Sequence, residues 1–422
     1  MPALPPDGDY ITISQLVEPP TVPSWRSHDP ARSAKRTDPF AFGQRYLEEG
    51  DDVFSYNAWD HVETDEDYKA YAELQYAKQR ENPASDWHKS LYNSNPAKFW
   101  DRFYKNHNQN FFKDRKWLRQ EFPVLAEVTK QGAGPKVVLE VGAGAGNTAF
   151  PLINNNENEE LKVFACDYSK NAVKVMRESE HYNEKFMRAE VWDVTSDEEE
   201  IDGEIKSSMP PGVEEGSVDV VILIFIMSAL APDQWNAALR NIHRVLKPGG
   251  LVLFRDYGRG DLAQVRFKKE RYLSENFYVR GDGTRVYFFD EEELRQMWST
   301  WTPEKGLPMV NNDISTENTD SPELAENKEE QQTETSTEKT TEESIDKNQE
   351  EQEQTEDTEG AFEVLNLGKD QRLLVNRQRK LKMYRCWIQA RFRKRVPGET
   401  SADQQPAPTA ESIAEGLAAT TL

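Results

Sequence analysis

Cysteine is nearly missing from this chain of 422 residues, which has two, Cys166 and Cys386. Two distant thiols make neither a disulfide framework nor a metal cage, so no metal is expected and a reducing compartment, the cytoplasm, is the natural setting. Long apolar runs are missing too. The stretch Val218 to Leu230 comes closest, and it is shorter than the roughly 20 residues that cross a bilayer as a helix. No membrane partner is therefore expected. The leader is Pro-rich, carries Asp7 and Asp9, and has neither the apolar core of a signal peptide nor the Arg-rich pattern of a transit peptide. Hydrophobic residues amount to 36%, too few for a chain packed throughout. Positive charge is short overall, with 52 Lys and Arg against 75 Asp and Glu. Between Asn311 and Gly360, however, 18 acids against 3 lysines carry −15 of the net −23. The remainder holds distinctly basic stretches, and nucleic acid stays open as a partner.

The composition shifts divide the chain. Residues 1–38 are expected to be a flexible leader and 39–130 an N-terminal extension. Residues 131–302 begin an α/β domain, 303–360 form a disordered acidic insertion, 361–396 supply its last strands, and 397–422 are a loose tail. The insertion interrupts the domain, at small cost if its ends lie close together.

What is there centres on Val137-Val138-Leu139-Glu140-Val141-Gly142-Ala143-Gly144-Ala145-Gly146, an apolar strand running into alternate glycines ahead of a helical pattern. Glycines allow a tight turn and close approach of backbone N–H groups to a ligand. The same turn suits a loop that binds nothing, a dinucleotide site, or another nucleotide-like cofactor. Lys162 to Cys166 reads as a second strand ending in Asp167, roughly 20 residues beyond the glycines, where an acid accepts both ribose hydroxyls. Val191-Trp192-Asp193-Val194 reads as a third strand; Asp193 suits an adenine amino group and a helix cap equally. Ser217 to Ala229 has the continuous apolarity of a strand buried on both faces. Lys247-Pro248-Gly249-Gly250 turns into a fifth, Leu251 to Phe254, which leads to Arg255-Asp256-Tyr257-Gly258. Asp282-Gly283 marks a hairpin. The alternation predicts a doubly wound parallel sheet with its ligand at the carboxyl edge, where Ser228 falls as well.

Ahead of the glycines, Asn95-Pro96 starts a helix with Phe99, Trp100, Phe103 and Tyr104 at helical spacing. Such a stripe is ordinarily core. Lys98, Arg102, Lys105, Lys113, Arg115, Lys116 and Arg119 are interleaved with it; they suit either a solvated face or phosphates of a single-stranded nucleic acid. Arg377, Arg379, Lys380 and Lys382 form a second basic cluster between the last two strands.

The order of glycine turn, ribose acid, third-strand acid and Lys-Pro-Gly-Gly resembles the S-adenosylmethionine-dependent methyltransferases of the seven-stranded Rossmann-like class. Longer blocks sharpen this: Phe99-Trp100-Asp101-Arg102-Phe103-Tyr104, Asn110 to Leu118, Glu121-Phe122-Pro123, Leu223 to Ala229, Phe254 to Gly258, and Glu275 to Arg285. They resemble the tRNA 3-methylcytidine methyltransferases, which act on cytidine 32 of the anticodon loop. Phe54 to Asp60 and Arg372 to Gln389 are similar to the branch acting on threonine tRNA. A departure is Lys116, where the family has His. The resemblance implies an α/β fold with a seven-stranded sheet, a helical RNA-binding extension and S-adenosylmethionine as cofactor. It maps cofactor contacts onto Trp100, Tyr104, Gly142, Asp167, Asp193 and Ile224, with Gly144 beside them in the turn. Lys113, Arg115, Arg119, Arg377, Arg379 and Lys380 are the expected tRNA contacts, and Asp256 the candidate for stabilising a cationic product. An accessory protein partner stays open. So do two other classes, a methyltransferase for small molecules or proteins and a non-catalytic RNA-binding scaffold.

Overall fold

A computed structural model describes residues 45–107, 112–115, 117–197, 208–307 and 360–398, with backbone alone at 199–201 and 204–206. The leader, the acidic run 308–359, the tail beyond 398, and Asn110, Phe111 and Lys116 of the quoted blocks lie outside the described residues.

Eight strands form the main sheet: β1 (Ala58–Asp60), β2 (Lys136–Val141), β3 (Leu161–Asp167), β4 (Met187–Val191), β5 (Val218–Ile224), β6 (Leu246–Tyr257), β7 (Phe362–Asn376) and β8 (Leu381–Lys394). Their order is β1-β7-β8-β6-β5-β2-β3-β4. Strands β2 to β6 are mutually parallel, while β8 runs antiparallel to both neighbours. The expected seven strands are all present; β1, from the extension, adds an eighth on the edge. One strand is displaced from its expected place. It ends at Val191, so Asp193 lies in the turn after β4 rather than within it. The apolar run continues through Trp192 and Val194, but the Asp193 carboxylate accepts from Thr195 N (2.9 Å) and Thr195 Oγ1 (2.7 Å) and closes a turn there.

The labelled helices are α1 (Glu66–Arg80), α2 (Asp86–Ser94), α3 (Pro96–His107), α4 (Ala149–Asn154), α5 (Lys170–Arg177), α6 (Trp235–Val245) and α7 (Glu291–Thr300). Local chemistry sets their starts. Asp65 caps α1 through Tyr68 N, Ser169 caps α5 through Ala172 N, and Asp290 with Glu293 makes a capping box on α7. A hairpin, Phe277–Val279 with Arg285–Tyr287, turns through Asp282-Gly283 as expected. None of the helices described is long and apolar enough to cross a membrane.

Central strands bury both faces. Leu139, Val141, Val221, Leu223 and Phe254 pack into one core; Val138, Val163, Val220, Ile222 and Leu253 pack into the other. A third core has a different basis. β8 pairs with β6 only from Trp387 onward, so residues 381–386 and their β7 partners Gln371–Asn376 overhang the end of β6. Six residues at about 3.3 Å each make an overhang of roughly 20 Å. Strand β1 pairs with it, and Trp59, Tyr68, Ala72, Tyr76, Leu373 and Tyr384 fill the space beneath α1. A buried polar chain links β6 to β7 and β8. Arg255 donates to Gln389 Oε1 (2.6 Å) and Asp370 Oδ2 (2.5 Å), and Gln389 donates to Glu121 Oε2 (2.9 Å). Burial alone would raise the Asp370 carboxyl, but His61 at 3.3 Å and Arg255 outweigh it and hold it at about 2.

Ser299 O accepts from Gly360 N (2.9 Å) and Trp301 O from Ala361 N (2.7 Å). The chain on the far side of the acidic run therefore re-enters at the end of α7.

Candidate active site

Sheet order reverses between β2 and β5, and a cavity of ≈ 460 Å³ opens at the carboxyl ends of those strands, where open α/β sheets bind ligands. Helix α3 and the 280–284 turn roof it. Trp100, Phe103 and Tyr104 face it from the helix, Arg280, Asp282 and Thr284 from the turn. The two roof pieces are joined, since Arg102 Nη2 donates to Asp282 O (2.8 Å) and Phe99 packs on Gly283. Helix α3 is also pinned to the start of α5, where Asp101 Oδ1 accepts from Ser169 Oγ (2.7 Å) and Asn171 N (3.3 Å).

The glycine turn forms one wall. Gly142 and Gly144 have φ of +64 and +59, and a Cβ would overlap Ile226 at the first and the Tyr104 hydroxyl at the second. Both positions therefore require glycine on two counts, conformation and space. Asp167 ends β3 beside this turn; its Oδ2 accepts from Gly144 N (2.9 Å) and its Oδ1 from Ser169 N (2.9 Å). Burial pushes its carboxyl up to about 6, against the pull of those two amides. Each carboxylate oxygen has a second lone pair, which suits a vicinal diol. Trp100 and Tyr104 stack at 6.1 Å over this half, and Ile224 lines it from the end of β5. The residue set fits an adenosyl cofactor: a diol acceptor, an aromatic cover, and a turn where only hydrogen is tolerated.

The other half is aromatic and cationic. Phe225, Tyr257 and Trp387 line it together with Arg280 and Arg385. The Phe225 and Tyr257 rings lie 4.9 Å apart, and Phe225 holds φ of +62, uncommon for a bulky residue and located at the site. Arg385 donates to Asp261 Oδ2 (2.8 Å) and sits 4.8 Å from the Trp387 ring.

The expected residues separate into distinct groups. Trp100, Tyr104, Gly142, Asp167, Asp193 and Ile224 all line the cavity, although Asp193 Oδ1 is engaged by Thr195. Asp256 is placed differently. It is fully buried and lies outside the cavity wall; its oxygens accept from Ser228 N (2.9 Å) and Tyr257 N (2.8 Å). Burial raises its carboxyl to about 6, and its two bonds hold the backbone of two lining residues. Among the basic residues, Lys113 is exposed at the cavity. Arg115 turns inward, its Nη1 donating to Thr148 Oγ1 (2.9 Å) and lying 3.6 Å from Glu140. Arg119 donates to Thr129 Oγ1 (3.2 Å). Arg377, Arg379 and Lys380 are exposed at the tip of the overhang, where Lys380 stands 4.3 Å from the Phe54 ring. The sequence alone does not mark the aromatic and cationic half. Tyr257 and Phe225 stood inside quoted blocks, but nothing in their spacing marks them as facing a cavity. Arg385 and Trp387 arrive there only through the β8–β6 register. Among the described residues, no cluster of His, Cys, Asp and Glu has the arrangement of a metal site.

Residues 139–252 match a methyltransferase-domain family model. The chain is 44% identical over 354 residues to the tRNA(Thr) (cytosine(32)-N(3))-methyltransferase of Saccharomyces cerevisiae, covering 84% of this chain and 46% of that one. It is 40% identical to the tRNA N(3)-methylcytidine methyltransferase trm140 of Schizosaccharomyces pombe, covering 84% and 92%, and 38% identical to the tRNA N(3)-methylcytidine methyltransferase Mettl2 of Drosophila melanogaster, covering 85% and 90%. The chain thus spans about half the length of the budding-yeast relative and nearly all of the other two.

Proposed function

Because the chain belongs to the tRNA N(3)-methylcytidine methyltransferases, we propose that it methylates N3 of cytidine 32 in the anticodon loop of threonine tRNA, with S-adenosylmethionine as donor. The observation that carries the reading is the two-part cavity. A ribose-accepting carboxylate and an aromatic cover meet, in one space, an aromatic and cationic half at the sheet's switch point.

The cofactor supplies an electrophilic methyl group on sulfur. Asp167 receives the ribose hydroxyls, Trp100 and Tyr104 cover the adenosine, and Gly142 and Gly144 let the backbone come close. Cytosine N3 has a lone pair and no proton, so the transfer needs no general base. Holding N3 in line with the methyl group supplies most of the acceleration. N3 lies on the Watson–Crick edge, so the base must leave its stack. Phe225 and Tyr257 then flank it, with Asp256 holding the Ser228 and Tyr257 backbone rigid below. Lys113 and the Arg377, Arg379, Lys380 tip meet phosphates.

Purified protein with labelled S-adenosylmethionine should label threonine tRNA and leave a transcript with uridine at position 32 unlabelled. Equal labelling of the two rejects the site. Labelling of a protein or small molecule without RNA would favour the competing enzyme class.

A further inference from the structure

Resting on that cofactor reading, we infer that Arg115, rather than meeting tRNA phosphate, is the anchor for the α-carboxylate of the donor's amino-acid end. Asp167 holds the ribose at the end of β3, so the rest of the molecule must run past Gly142 across the switch point. Arg115 stands on that far side. Its backbone N donates to Asn147 O (2.9 Å), just after the glycine turn. Its guanidinium lines the cavity, rests on Thr148 Oγ1 and lies 5.9 Å from the Phe225 ring. Five N–H donors are available on a guanidinium, in a fork that matches a carboxylate. One meets Thr148, and the 3.6 Å approach to Glu140 is an ion pair without hydrogen-bond length. Glu140 has its side chain buried beneath the guanidinium. The other arginines on the wall are held elsewhere: Arg280 by Thr284 Oγ1 (3.4 Å) and Arg285 O (3.2 Å), Arg385 by Asp261.

Decarboxylated S-adenosylmethionine lacks only this carboxylate and is the discriminating probe. Calorimetry on the full-length protein should show S-adenosylmethionine bound about 10- to 100-fold more tightly than its decarboxylated form, the range for a lost charged hydrogen bond. Arg115→Gln should bind both alike, with affinity for the decarboxylated form near that of the unaltered protein. Arg115→Lys, charged but without a fork, should keep a reduced preference. Equal binding of the two compounds by the unaltered protein overturns the proposal, as does a preference left intact in Arg115→Gln or Arg115→Lys. Loss of the preference in Lys113→Ala alone reassigns the carboxylate to Lys113. Failure of the unaltered protein to bind either compound rejects the cofactor reading itself, which is a separate result.

Discussion

At the scale of single residues, the site depends on acids that burial has moved. Asp167 sits at about 6, and it must be ionised to accept from two ribose hydroxyls. Cofactor affinity should be flat above pH 7 and fall up to about tenfold per unit below pH 6. Calorimetry between pH 5 and 8 reads this, and Asp167→Asn should bind weakly throughout. Glu140 is raised from 4.5 to about 7, by burial first and against the opposing pull of Arg115. Its folded pKa exceeds its unfolded one, so the folded state holds the extra proton. Its contribution to stability is thus lost as pH rises from about 4.5 to about 7. Glu140→Gln removes that dependence. Melting curves at pH 5 and 8 should shift in the variant's favour at the higher pH, by at most about 3 kcal/mol. A difference between variant and unaltered protein that ignores pH would contradict the assignment.

At the scale of elements, α3 is the piece that makes a cleft into a cavity. Its aromatic stripe first reads as core, and Phe99 and Phe103 are indeed buried; Trp100 and Phe103 nevertheless line the cavity along with Tyr104. One helix face serves both roles because the helix roofs a space instead of covering a sheet. Asp101→Ala removes the carboxylate that accepts from Ser169 Oγ and Asn171 N and leaves the main cores untouched. Cofactor affinity should drop about tenfold, the order of one charged hydrogen bond, with little change in melting temperature. The β7–β8 hairpin is the second such element. Replacing Arg377, Arg379 and Lys380 together by Ala should flatten the plot of log tRNA affinity against log salt by about 2 to 3, near one unit per lost phosphate contact. Cofactor binding should not respond. An unchanged salt slope would remove the tip from the RNA surface.

At the scale of the whole molecule, the overhang gives the extension something to fold against. Strand β1 and helix α1 share a core with residues of β7 and β8, which lie about 300 positions later. Trp59→Ala should cost about 3–5 kcal/mol, as for a fully buried large aromatic. The chain on the C-terminal side of residues 308–359 is tied to this same body after α7, where Gly360 and Ala361 are held by Ser299 and Trp301. Exchanging residues 308–359 for a Gly-Ser linker of about 13 residues should leave the melting temperature within about 3 °C, since two halvings of loop length change the closure term by only about 1.2 kcal/mol. A large fall would show that the run supports the fold.

Local chemistry in the sequence was enough for the helix starts, the glycine turn, the acid at the end of β3 and the parallel core. Each is written within a few residues, through caps, backbone permissiveness or continuous apolarity. The placement of Asp193 was missed because strand ends are decided by hydrogen bonds between neighbours, and apolar residues carry on past Val191. The burial of Asp256, the inward turn of Arg115 and the aromatic wall of Phe225, Tyr257 and Trp387 belonged to tertiary structure alone. Their roles depend on which strand ends meet at the switch point, and side-chain direction across a sheet is set by register, which no one strand contains.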